Sequence, residues 1–251
     1  MASSISPGPL DAPPQPAPHP ITMRHMVFVL LAGMIVCIVG TLVFLQLAAA
    51  VLANTYLSID ERVLLGAHTI ASTSLSDVMY ALTMIGDPVT VGVISVGGLL
   101  VLLRQGRRVD AAGLLAATVG ALLLNLVLKH AYARVRPDLF SGPIHLNTYS
   151  FPSGHAMGSI AGYGMLAFLA LRQARHAWHR VLVGLVTVLL IAGIALSRVY
   201  FGVHFPTDIL GGLLAGAIWL TAVIVMLQLA EWEFDRRRAR PNGTAEQALQ
   251  Q

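Results

Sequence analysis

The run Asp110-Ala111-Ala112-Gly113-Leu114-Leu115-Ala116-Ala117-Thr118-Val119-Gly120-Ala121-Leu122-Leu123-Leu124-Asn125-Leu126-Val127-Leu128 leads without a break into Lys129-His130-Ala131-Tyr132-Ala133-Arg134-Val135-Arg136-Pro137. Between Asp110 and Lys129 it carries no charge, so as a helix rising about 1.5 Å per residue it crosses a hydrocarbon core about 30 Å thick. It then delivers a dense basic group to one membrane surface. The first half of this stretch decides the fold and the second half points to the chemistry.

The rest of the chain agrees. Of 251 residues, 56% are hydrophobic and 11% charged, with a mean hydropathy of +0.72. A soluble domain carries about a quarter charged residues. This balance excludes a soluble globular enzyme, a disordered chain and a nucleic-acid-binding domain. Five more apolar stretches flank the first, giving approximately 26–53, 88–103, 110–128, 155–171, 181–197 and 209–230. The expected fold is all-α, a polytopic membrane protein with six transmembrane helices in one bundle. Ala48-Ala49-Ala50 resembles a leader-cleavage site, but the apolar run before it exceeds the usual 7 to 15 residues, and the first helix is read as retained.

Residues 1–22 are rich in Pro, Ser and Ala and are expected to form a disordered cytoplasmic tail. Residues 23–235 form the membrane domain, and 236–251 a basic, then polar, cytoplasmic tail. Residues 54–87 interleave Leu64, Leu65, Ile70, Leu75, Met79 and Leu82 with Asp60, Glu61, Arg62 and Asp77. That mixture suits short helices on the outer membrane surface, either covering a site or merely packed there. Gly154, Gly158 and Gly162 recur every fourth residue, as do Gly212 and Gly216, a spacing that lets helices approach closely in lipid. With the amino terminus inside, eleven Lys and Arg residues fall on cytoplasmic segments and five on outer ones, so both termini are expected in the cytoplasm. The one cysteine, Cys37, can form no internal disulfide.

Three polar clusters then share the outer face: Lys129 to Pro137, Phe151-Pro152-Ser153-Gly154-His155, and Ser197-Arg198 through His204 to Asp208. Lys129, Arg136 and Arg198 are three fixed cations suited to phosphate oxygens. Ser153 is expected to cap a helix and to face an anion. The free N–H groups beside it and the small Gly154 would let that anion approach. Asp208 lies four residues past His204, within reach of a hydrogen bond that would fix the imidazole's tautomer. His155 is left for proton transfer. Such a pocket suits phosphoryl transfer without a metal or cofactor, with His204 attacking phosphorus. A neutral nucleophile and a protonated acid predict a bell-shaped pH profile. A metal reading of His204 and Asp208 is disfavoured because Pro206 interrupts the turn and no further ligands cluster there. A transporter would need ionisable groups near the bilayer centre, and these charges sit at helix ends. Asn125 is read as a helix-joining residue.

The same residues resemble the three-part signature of the type-2 phosphatidic acid phosphatase family, integral-membrane lipid phosphate phosphatases that share their pocket with vanadium haloperoxidases. Lys129 with Arg136-Pro137, Pro152-Ser153-Gly154-His155, and Ser197-Arg198 with His204 and Asp208 match it at every spacing. The resemblance implies His204 as nucleophile, Asp208 as its partner and His155 as general acid. It implies Lys129, Arg136, Ser153, Gly154 and Arg198 as the phosphate pocket. It further implies hydrolysis of a lipid phosphate or diphosphate in the bilayer of a bacterial inner membrane, with the site facing the periplasm or outside. A phosphotransferase using the same phosphohistidine remains open, because the second-step acceptor is not written in the pocket.

Overall fold

The computed structural model describes residues 22–139 and 148–239, with the side chains of 238 and 239 left aside. The expected Pro-rich tail therefore lies outside the described residues, as does most of the carboxy-terminal tail. The described residues form eight helices: α1 (Met23–Leu52), α2 (Leu57–Thr69), α3 (Thr73–Ile85), α4 (Pro88–Arg104), α5 (Arg108–Tyr132), α6 (Gly154–Gln173), α7 (Ala177–Tyr200) and α8 (Pro206–Ala239). All six apolar stretches are helical. Helices α1, α5, α6, α7 and α8 are long and apolar enough to cross a membrane. The remaining stretch, 88–103, is α4, 17 residues long, which meets α3 at a bend of 53°.

Local chemistry sets the boundaries. Thr22 caps α1 by accepting from the His25 N–H at 3.3 Å, and Ser72 caps α3 through the Leu75 N–H. Asp87 accepts from the Val89 N–H at 2.9 Å, and Pro88 occupies the first turn of α4, where its missing N–H costs nothing. Helix α5 ends where Ala133 turns left-handed, at φ 44°, and its N–H bonds the Lys129 carbonyl.

The bundle buries α6 most deeply, between α5, α7 and α8, while α1 lies along α8. Val93, Val127 and Leu189 are each more than 60% exposed, as expected where lipid covers the helices of a multi-span membrane protein. The glycine stripes divide in their roles. A Cβ at Gly212 would lie 2.5 Å from the Ser153 carbonyl oxygen, and one at Gly216 would lie 2.9 Å from that of Met157, so α6 and α8 touch backbone to backbone. Gly162 gives room to Val91 on α4. Gly158, read from its spacing as a packing glycine, instead faces open space and lines an apolar groove of about 140 Å³ between α4, α5 and α6. Asn125 does join elements, donating to the Pro152 carbonyl at 3.2 Å.

Candidate active site

The last turns of α5 and α7 and the first turns of α6 and α8 meet at one end of the bundle, so the three sequence clusters converge. Backbone bonds lock them together. The Ser153 N–H donates to the Asp208 carbonyl at 3.0 Å, joining the start of α6 to the start of α8, and the Ser150 N–H donates to the Arg134 carbonyl at 2.8 Å. Lys129, Ser153, Arg198, His204 and Asp208 are all buried.

His204 sits in the turn between α7 and α8. Its Nε2 lies 3.1 Å from Arg136 Nη1, a guanidinium that can only donate. Nε2 is therefore an acceptor and carries no proton. Burial, together with the nearby Arg136 and Arg198 charges, pushes the imidazole down to about 3, against the opposing pull of Asp208. Arg136 also donates to the Val203 carbonyl at 2.6 Å and to Thr148, at its carbonyl and its hydroxyl. Burial lowers the guanidinium's own affinity for its proton.

The expected hydrogen bond between His204 and Asp208 is not formed. Nδ1 and Oδ2 are 3.5 Å apart, within ion-pair range but too long for a good hydrogen bond, and Nδ1 has no other partner among the described residues. The reason is that Asp208 is already engaged. Oδ2 accepts from Ser150 Oγ and from the Phe205 N–H at 2.8 Å, and Oδ1 accepts from Arg134 Nη1 at 2.6 Å.

The remaining candidates surround this pair. Lys129 Nζ donates to the Tyr149 carbonyl, and Arg198 Nη1 to Thr83 Oγ1 on α3. Arg198 Nε and Ser153 Oγ are buried and have no hydrogen-bond partner among the described residues. Ser153 occupies the N-cap position of α6, but its side chain does not cap the helix, contrary to expectation. At Gly154 an added Cβ would meet Asn125 Oδ1 at 2.9 Å, so its smallness also gives room to α5. His155 makes no hydrogen bond among the described residues, and it lies within the electrostatic reach of Arg198, His204, Arg136 and Lys129. An open cavity of about 500 Å³ reaches Lys129 and Arg136 from the outside, walled by Leu126, His130, Thr148 and Tyr149.

Four residues of this region were not read from the sequence: Asp60, Thr83, Arg134 and Ser150. Arg134 had counted only as a loop charge. Asp60 and Thr83 come from α2 and α3, so the 54–87 segment supplies buried polar support to the site.

Three cations, two imidazoles and a carboxylate at one end of an apolar helical bundle define a membrane enzyme of the phosphatase class. The PAP2 superfamily model matches residues 110–232. Phosphatidylglycerophosphatase B of Bacillus subtilis is 35% identical over 183 residues, covering 70% of this chain and 87% of that protein. An undecaprenyl-diphosphatase of Sulfolobus acidocaldarius is 32% identical over 140 residues, covering 54% of this chain and 63% of that one. The crystal structure of a transmembrane PAP2-type phosphatidylglycerolphosphate phosphatase from Bacillus subtilis superposes with a TM-score of 0.69 at 31% identity, over 82% of this chain and 98% of that chain. The chain belongs to the PAP2 superfamily.

Proposed function

We propose that the protein hydrolyses a membrane lipid phosphate or diphosphate, of the phosphatidylglycerophosphate or undecaprenyl diphosphate class, through a phosphohistidine and without a metal. The observation that carries this reading is His204 Nε2, unprotonated and buried beside Arg136 and within the electrostatic reach of Arg198. An entering phosphate draws Arg136 from Nε2 onto its own oxygens, which frees the nitrogen lone pair. Ser153 Oγ and Arg198 Nε, without partners among the described residues, donate to the same group. His204 Nε2 then bonds to phosphorus as the bond to the lipid oxygen breaks. His155 gives its proton to that oxygen. In the second step His155 takes a proton from water, the water oxygen bonds to phosphorus and the P–N bond breaks, releasing phosphate. The apolar groove from Gly154 past Gly158, Val91 and Leu122 suits a substrate chain held in the bilayer.

The setting belongs to the same proposal. Residues 23–235 act as one membrane domain of six spans, with α3 and α4 together forming the second. Helix α2 lies at the outer interface, and both tails are cytoplasmic. In a bacterial inner membrane the site then faces the periplasm.

The test is phosphate release by purified protein in detergent with a chelator present, over a panel of lipid mono- and diphosphates. Release is expected to persist with chelator and to fall by at least about 10³-fold in His204→Ala. Undiminished release by that variant removes His204 as nucleophile. Release that requires a divalent ion removes the metal-free mechanism.

A further inference from the structure

We propose that Asp60 and Arg134 are positioning residues of this reaction, acting on His204 through Asp208 and Thr207. The proposal rests on the reading of His204 as nucleophile.

Arg134 Nη1 reaches Asp208 Oδ1 at 2.6 Å and Thr207 Oγ1 at 2.8 Å, while Nη2 reaches Asp60 Oδ2 at 2.9 Å. Its guanidinium carbon lies 4.2 Å over the Phe205 ring. Both terminal nitrogens are thus committed to carboxylates, which sets Arg134 apart from the phosphate-facing cations. Asp60 Oδ1 accepts from the Thr207 N–H at 3.1 Å, and its Oδ2 accepts from Thr207 Oγ1 at 2.6 Å. A helix N-terminus leaves its first N–H groups without intrahelical partners. Here α2 supplies that partner to α8 from 147 residues away. Leu64, one turn after Asp60, is fully buried against Ala156, Val199 and Phe205, so α2 is keyed into the bundle by the same face.

The consequence is geometric and electrostatic. By holding Oδ1, Arg134 turns the Oδ2 edge of Asp208 toward His204 Nδ1. Its charge also offsets that of Asp208, which limits how strongly the carboxylate favours a protonated His204. The other groups facing His204 are Arg136 from the segment after α5, Arg198 from α7 and His155 from α6. Without Arg134, Asp208 attracts a proton to His204 more strongly, and the nucleophile is lost at a higher pH than before.

Kinetics on phosphatidylglycerophosphate and undecaprenyl diphosphate in detergent micelles test this, with Arg134→Gln, Arg134→Lys, Asp60→Asn and the pair Asp60→Asn/Arg134→Gln beside wild type and His204→Ala. Arg134→Gln is expected to lower kcat by about 10- to 100-fold, the cost of a misplaced reacting group. KM is expected to stay within about threefold, since no phosphate contact is lost. The acid limb of kcat/KM moves to higher pH, and Arg134→Lys recovers part of kcat. Asp60→Asn lowers kcat less and does not raise the limb. If Arg134→Gln does not fold, the paired variant, which removes one charge of each sign, is read by the kcat and KM criteria, and Arg134→Lys by those and the limb.

Wild-type kcat in a folded Arg134 variant, a loss carried by KM, or a lower kcat with an unmoved limb overturns the proposal. Unchanged kcat per folded molecule in Asp60→Asn removes Asp60 from it. Activity retained by His204→Ala overturns the underlying reading instead, so the two failures are separable.

Discussion

His204 shows how burial sets a chemical role at the scale of one residue. An imidazole ordinarily titrates near 6.5, yet here it is pushed down to about 3, chiefly by its removal from water. The proposed nucleophile is therefore expected to stay neutral across most of the range in which free histidine would gain a proton. This shifts the bell-shaped profile expected from two ordinary histidines. The acid limb of kcat/KM in the free enzyme is expected well below pH 6, while the proton donor, proposed as His155 and surrounded by Arg198, Arg136 and Lys129, is expected to show in kcat, where the bound phosphate offsets those charges. A limb near 6.5 that shifts with the phosphate pKa of the substrate chosen would assign that titration to the lipid phosphate. One that stays fixed would show His204 to be more basic than its surroundings imply. Stability follows with a definite sign. Below pH 6.5 the unfolded chain binds a proton at this position that the folded chain refuses, so stability falls as pH drops from 6.5 toward 3. For one group the slope is at most about 1.4 kcal/mol per pH unit. Thermal melts in detergent across that range measure it, after subtraction of the slope in His204→Gln.

At the scale of the element, the contact between α6 and α8 sets the spacing of the groups proposed to react, because α6 carries His155 and α8 carries Asp208. Gly212 leaves no room for a methyl group between Ser153 O and the Ala156 Cβ, which a new Cβ would meet at 2.5 and 3.0 Å. Gly212→Ala is therefore expected to cost about 1–3 kcal/mol of stability, as overpacked interfaces do, and to lower kcat as well. Gly158→Ala, four residues along the other stripe, meets nothing within 4 Å. It is expected to leave stability unchanged or raise it by up to about 1 kcal/mol through helix propensity. Melting temperatures of the two variants check the pair, and equal losses would show that both glycines serve packing alike. The spacing of these glycines was plain in the sequence, but their separate partners were not. A period of four places residues on one face without saying what lies opposite. The same limit applied at the site. Lys129, Arg136, Ser153, His155, Arg198, His204 and Asp208 stood out because polar residues at the ends of apolar helices are scarce. Arg134 lies between two of them and looked like a loop charge, since its carboxylates are each 74 residues distant. Asp60 sits beside Glu61 and Arg62 in an amphipathic segment, where nothing local marks one acid as buried. Ser153 was legible as an N-cap by type, but whether its hydroxyl turns back to the helix depends on contacts that only the fold creates.

The whole molecule is polar at two ends and apolar between them. Opposite the site, Arg172 pairs with Glu231 through two 2.8 Å bonds and with Asp110 at 3.1 Å, and Arg107 pairs with Asp110 at 2.7 Å. This cluster ties α5, α6 and α8 together at the far end. Along α5, Asp110 and Lys129 are separated by roughly 28 Å at 1.5 Å per residue, close to the thickness of a hydrocarbon core. The two polar ends therefore fit the two faces of one bilayer. Orientation then turns on which end carries the uncommitted positive charge. At the site end, Lys129, Arg134, Arg136 and Arg198 are all drawn into the protein. Arg24, Arg104, Arg108 and Arg175 lie toward the opposite end, and positive residues of this kind favour retention of a segment in the cytoplasm. The site end should consequently face outward. Cys37 is the chain's one thiol, so Cys37→Ser gives a clean background for single cysteines. Asp138→Cys, in an exposed position after the first site cluster, is expected to react with a membrane-impermeant maleimide on intact cells. Gln105→Cys, exposed in the turn between α4 and α5, should react only after the membrane is opened. The reverse pattern would place the site in the cytoplasm, and with it the lipid phosphates that the enzyme can reach.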